Sequence, residues 1–178
     1  MLQKDFEFVK NLKNEFFSQR KIQHSLTVIQ KKDISAWELW WQVEFATFLS
    51  QHKDGHEWYR EQHIDVDRRK DKEKSKLIAD FIIRPKNHAL EKFILLELKQ
   101  NRSVTTCISN MVKDVNKIDK ARAASLNQRS FWCVGVHPKD SKKRIRETVL
   151  AAAEKHDIGI HDIYTKFIPF TGFAFTIF

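Results

Sequence analysis

Apolar residues recur near the start of the chain at helical spacing. Phe6, Val9, Phe16 and Phe17, with Phe8 and Leu12 adjoining, predict an amphipathic helix over residues 3–20. The run Ser25-Leu-Thr-Val-Ile-Gln30 reads as a short edge strand. Asp33 or Ser35 can cap a second helix over residues 35–52, which Asp54-Gly55 stops. Strands are expected over 56–65, 77–83, 93–99, 131–136 and 173–178, and helices over 103–124 and 142–156. The first three strands after the second helix are joined by hairpin-length connections, and the later ones are joined through helices, as parallel crossovers require. The expected fold class is therefore α/β: a single-domain mixed β-sheet flanked by helices. It divides into an N-terminal helical extension (1–33), an αβββαβ core (34–136) and a C-terminal helix and strand (137–178).

Two of those strands carry charges where apolar residues belong. Leu77-Ile-Ala-Asp80-Phe-Ile-Ile83 contains an aspartate, and Phe93-Ile-Leu-Leu-Glu97-Leu-Lys99 contains a glutamate and a lysine. Such residues are poor strand formers and are seldom buried without partners. Glu97 and Lys99 share a strand face, and a hairpin closing around residues 87–90 sets Asp80 opposite Glu97. Two carboxylates that close repel each other unless a cation sits between them. Mg²⁺, or Mn²⁺ in its place, suits such a pair, because it takes oxygen ligands and keeps several waters. Lys99 beside it can orient or deprotonate a water, or neutralise charge on a phosphorane.

A further acid comes from the 35–52 helix. Trp37, Trp41, Glu44 and Phe48 are spaced by four, three and four, which sets Glu44 on an apolar stripe facing the sheet, as a metal ligand or proton acceptor. Glu38 competes for this role, but it lies near the helix start, where the helix dipole already explains an acid. Gln100 and Arg102 follow the Glu97 strand and are candidates to reach a phosphate. Lys113, Lys117 and Lys120 share one face of the 103–124 helix and could track a nucleic-acid backbone. Lys142, Lys143, Arg144 and Arg146 crowd a helix start, where cations are disfavoured and an anionic partner would relieve them. Each basic group also fits a plain solvated surface.

An acid on a first helix, an Asp in a second strand and Glu-x-Lys in a third together resemble the PD-(D/E)XK nuclease superfamily, the restriction-endonuclease-like fold. The matching residues are Glu44, Asp80, Glu97 and Lys99, with sixteen residues between Asp80 and Glu97, and the likeness spans about residues 35–136. The proline that names the motif is Ala79 here, so the D…ExK part carries the resemblance. It implies Mg²⁺-dependent hydrolysis of nucleic acid, DNA before RNA, with Asp80 and Glu97 as metal ligands. Lys99 would act on the nucleophile, and Glu44 would be an auxiliary acid and ligand. The residues leave open an RNase of the toxin type, a binding module that does not cut, and a protein-interaction module.

The formal charge of +9 favours a polyanionic partner, nucleic acid ahead of a membrane surface. No apolar run approaches the roughly 20 residues of a membrane span, and the N-terminus lacks a signal-peptide core. Cys107 and Cys133 form no zinc or disulfide pattern, so a reducing cytoplasm, the cell's own or a target cell's, is expected. Residues 67–76 carry six basic and three acidic residues and read as a solvated loop or a basic flap. His52, His56 and His63 hint at zinc, but no cysteine joins them and Gly55 breaks the helix between the first two. One active site cuts one strand, so double-strand cleavage would suggest a homodimer; the interaction-module reading would instead dock the basic faces on an acidic protein partner.

Overall fold

The computed structural model describes residues 2–64, 77–86, 93–121 and 128–178. The expected basic flap and the turn at 87–90 lie outside them. The elements run α1 (Leu2–Ser18), α2 (Arg20–Lys31), α3 (Glu38–Ser50), β1 (Glu57–Ile64), β2 (Leu77–Arg84), β3 (Phe93–Gln100), α4 (Val104–Ala121), β4 (Gln128–Pro138), α5 (Lys142–Glu154), β5 (Tyr164–Phe167) and β6 (Phe173–Ile177). The αβββαβ order expected of the core is the order from α3 to β4. Six strands form one mixed sheet in the order β1-β2-β3-β4-β6-β5. Only β3 and β4 pair in parallel, and α4 supplies the crossover.

The helices lie on two faces because the strands are apolar on both. Phe81, Ile83, Ile94, Leu96, Leu98, Trp132 and Val134 bury against α1, α2 and α3. Cys133 and Phe178 bury against α4 and α5, and Leu95 against Ile118 of α4. Aromatic rings dominate the first interface: Phe16 meets Phe45 edge-on at 5.4 Å, and Phe17 stacks on Phe175 at 4.8 Å. Buried Asp5 receives the Nε of Arg129 on both carboxylate oxygens, at 2.7 and 2.8 Å, tying α1 to β4.

The expected edge strand at 25–30 is instead the second half of α2. Thr27, Val28 and Ile29 favour a strand locally, but Ile22, Leu26 and Ile29 fall on one helical face and are buried there, and tertiary burial outweighs propensity. α3 begins at Glu38 with Trp37 at its N-cap, so neither Asp33 nor Ser35 caps it. Ser141 caps α5, its hydroxyl accepting from the N–H of Arg144 at 3.2 Å, while Asp140 pairs with the Arg144 guanidinium at 3.4 Å. The basic start of α5 therefore has acidic and capping partners within the chain.

Candidate active site

The ladder between β2 and β3 ends at Phe81 opposite Leu96; one residue further along, the same register would set Asp80 opposite Glu97. There a side chain takes over from the backbone ladder: Asp80 Oδ2 accepts the N–H of Leu98 at 2.7 Å. Its other oxygen accepts Nε2 of Gln42, from α3, at 2.9 Å. Asp80 is thus fixed from two directions, with lone pairs to spare for a cation.

Glu97 and Lys99 share the face that looks towards α4. Lys99 Nζ lies 2.6 Å from Glu97 Oε1 and 3.2 Å from Asp114 Oδ2. The three side chains keep 13–20% exposure, dry enough to strengthen charge interactions and open enough for solvent or substrate to reach. α4 approaches this closely because β4 carries Gly135 opposite Lys99. A Cβ on Gly135 would sit 2.3 Å from Met111 Sδ and 2.9 Å from Cys107 Sγ. Both sulfurs belong to the α4 face that carries Asp114 to the sheet.

Three carboxylates here are disfavoured as anions. Burial pushes Glu97 up to about 7, and the Asp80 charge adds to the rise against the pull of Lys99. Burial raises Asp80 too, opposed by the Leu98 N–H and by Lys99. Burial raises Glu38, opposed by the Gln100 N–H. For Lys99, burial works to lower the value, but Glu97, Asp114 and Asp80 outweigh it and hold the ammonium well above the ordinary lysine range. The carboxylates of Asp80, Glu97, Glu38 and Asp114 therefore outnumber the lysines that act on them, Lys99, Lys13 and Lys117.

Of the two acids on α3, Glu38 and not Glu44 lies beside Lys99, Asp80 and Asp114. Glu38 Oε2 accepts the backbone N–H of Gln100 at 2.9 Å, and its charge acts together with those of Lys99, Asp80 and Asp114. Glu44 instead pairs with Lys21 of α2 at 3.1 Å. The buried side of α3 is Trp41, Gln42, Phe45 and Leu49, which turns Glu38 and Gln42 towards the strands. Leu39 and Val43 are exposed, so α3 is apolar on more than one side and its stripe does not reveal its orientation.

Gln100 meets the site through its backbone. Arg102 is drawn away to Asp33, through Oδ2 at 3.1 Å and through the carbonyl. Lys113 is exposed, and Lys117 binds Asp114 at 2.8 Å, so Asp114 links the basic face of α4 to Lys99. The side chain of Lys120 lies outside the described residues. Gln42 and Asp114 carry no motif signal: one is a neutral residue in an aromatic helix, the other an acid among lysines.

No protein-family model, no curated protein and no solved structure matches the chain. No helix among the described residues is long and apolar enough to cross a membrane.

Proposed function

We propose that this chain is a metal-dependent nuclease that hydrolyses phosphodiester bonds, of DNA before RNA, at Asp80, Glu97 and Lys99. The support for this reading is the meeting of two half-buried carboxylates, each raised by burial, with a lysine at the point where the β2–β3 ladder gives way to a side chain. The donors are oxygens only and two in number, which suits Mg²⁺ or Mn²⁺ bound with several waters. Asp80 and Glu97 would hold the ion, with Glu38 at the margin of the site. Bound there, the ion would supply an acidified water and positive charge at the phosphate.

The chain's own groups divide the remaining work. Lys99 stays protonated against Glu97 and Asp114, so it serves as a fixed cation facing charge that develops on phosphorus, not as a base. Gln42 and the Leu98 N–H keep the Asp80 carboxylate in one orientation. Lys113 and Lys117, on the outer side of α4, suit a phosphate backbone passing the site. Two buried free thiols suit a reducing cytoplasm, that of the cell or of a target cell.

The test is nicking of supercoiled plasmid with Mg²⁺, Mn²⁺ or EDTA, with Glu97→Ala as control. Metal-dependent nicking lost in the variant is the expected result. Equal nicking by both proteins would remove this site from the chemistry. No nicking of DNA, with RNA cut under the same metal dependence, would reassign the substrate.

A further inference from the structure

A second cluster of ligand-type side chains lies in the turn between α3 and β1. His52 follows the C-terminus of α3, Asp54 and Gly55 make the turn, and His56 precedes β1. Gly55 adopts φ +58°, and its N–H reaches the carbonyl of His52 at 2.9 Å. This reversal folds the chain tightly enough for the two imidazoles to stack, centroids 4.9 Å apart and planes 27° apart. The residue that seemed to separate the histidines in sequence is the one that brings them together. Among the described residues, His52, Asp54 and His56 form the single group of three whose ligand atoms all lie within 4.8 Å of one another.

The hydrogen bonds orient the donor atoms. The Asp54 N–H points at His52 Nδ1 at 3.3 Å, so Nδ1 is the unprotonated, accepting nitrogen. The proton then sits on Nε2, which faces Glu15 Oε2 of α1 at 3.2 Å. The Glu15 carboxylate behind Nε2 raises the basicity of Nδ1, and an ion bound at Nδ1 would take the place of the Asp54 N–H there. Asp54 Oδ2 lies 3.7 Å from His52 Nδ1 and 3.9 Å from His56 Nε2. Ligands on a tetrahedral ion with bonds of about 2.1 Å stand about 3.4 Å apart, so Asp54 has a few tenths of an ångström to close, and the two imidazole nitrogens, within 4.8 Å of each other, have up to about 1.4 Å to close. Phe48 packs edge-on against His52 and Phe8 against His56, leaving the rings 5–7% exposed and little freedom to turn away. Asp54 is 55% exposed and opens the remaining position to water.

We propose that His52 Nδ1, Asp54 Oδ2 and His56 Nε2 bind one divalent transition-metal ion of the zinc class, with Glu15 holding His52 from behind. Two imidazoles and one carboxylate favour Zn²⁺ or Co²⁺ over Mg²⁺. The ion would fasten α1, the end of α3 and the start of β1, so its role is structural. This site shares no residue with Asp80, Glu97 and Lys99, and its case does not depend on the nuclease reading.

The test is titration of the chelator-treated full chain with Co²⁺, in excess Mg²⁺, followed by visible absorption. Displacement by Zn²⁺ and thermal melts complete it. One equivalent of Co²⁺ should give the bands of a four-coordinate ion, and Zn²⁺ should raise Tm by about 5 °C. Both effects should persist in Glu97→Ala and vanish in His56→Gln. Asp54→Asn, at an exposed position, should fold normally and weaken binding at least about tenfold. No Co²⁺ spectrum in the wild type, full binding by Asp54→Asn, or loss of binding in Glu97→Ala would each overturn the proposal.

Discussion

The backbone N–H of Leu98 donates to Asp80 Oδ2 at 2.7 Å, next to the last β2–β3 ladder pair, Phe81 and Leu96. One carboxylate thereby closes the β2–β3 pairing and stands beside Glu97. Asp80→Asn keeps an acceptor for Leu98 and should fold normally while losing cleavage by at least about a hundredfold. Asp80→Ala strands a buried N–H and should also lose about 1–3 kcal/mol of stability. Chemical denaturation of the two variants beside a plasmid assay separates the roles; equal stability would mean that the clasp contributes nothing.

Glu38 and Glu44 lie on the same helix with different surroundings. Glu38→Gln should cut activity by about tenfold or more, because Glu38 borders Lys99 and holds the Gln100 N–H. Glu44→Gln removes a half-exposed pair with Lys21, worth under about 1 kcal/mol, and should leave turnover within twofold. Steady-state cleavage rates of both variants check this; the opposite ranking would restore Glu44 to the site.

Glu97 titrates near 7 in the folded chain and near its ordinary 4.5 when unfolded. Between those values the unfolded chain holds fewer protons, so this group lowers stability as pH rises from about 4.5 to 7, with the full penalty above 7. The Tm of Glu97→Gln relative to wild type should therefore climb across that window. Protons compete with a metal for the same oxygens, so Mg²⁺ should stabilise the wild type more at pH 8 than at pH 6. Melts across pH, with and without Mg²⁺, decide it, and a flat difference would refute it.

Lys13 is fully buried, its Nζ 3.0 Å from the Phe45 ring centroid and without a hydrogen-bond partner among the described residues. Burial pulls its value well below 10.5, against the charge of Asp80. The folded chain then binds fewer protons than the unfolded one, so stability rises with pH towards 10.5. Lys13→Met should stabilise by about 1–3 kcal/mol at pH 7, with a smaller gain near pH 10. Denaturation midpoints at the two pH values measure this; destabilisation at pH 7 would show that the ammonium is held favourably.

Much of the fold was legible because the strands near the site are short apolar runs between breakers, and a hairpin fixes its own register by counting. The ladder pair Phe81 and Leu96, next to Asp80 and Glu97, fits the register that sequence spacing predicts. α2 was misread because its Thr27-Val-Ile stretch is locally strand-like, and only the burial of Ile22, Leu26 and Ile29 decides for helix. Which α3 acid faces the cluster was not legible because Leu39 and Val43 make α3 apolar on its open side too. Asp114 was invisible because its role depends on how near α4 comes to β3, a tertiary distance that no local pattern encodes.

That distance rests on Gly135. A methyl group there would meet Met111 Sδ and Cys107 Sγ, so those two side chains of α4 would have to shift. The residue touches no charge and offers no reactive atom, yet its missing side chain leaves room for two α4 sulfurs opposite Lys99. A search for functional positions by polarity alone would pass over it, although the calibration of the site lies in an absent side chain.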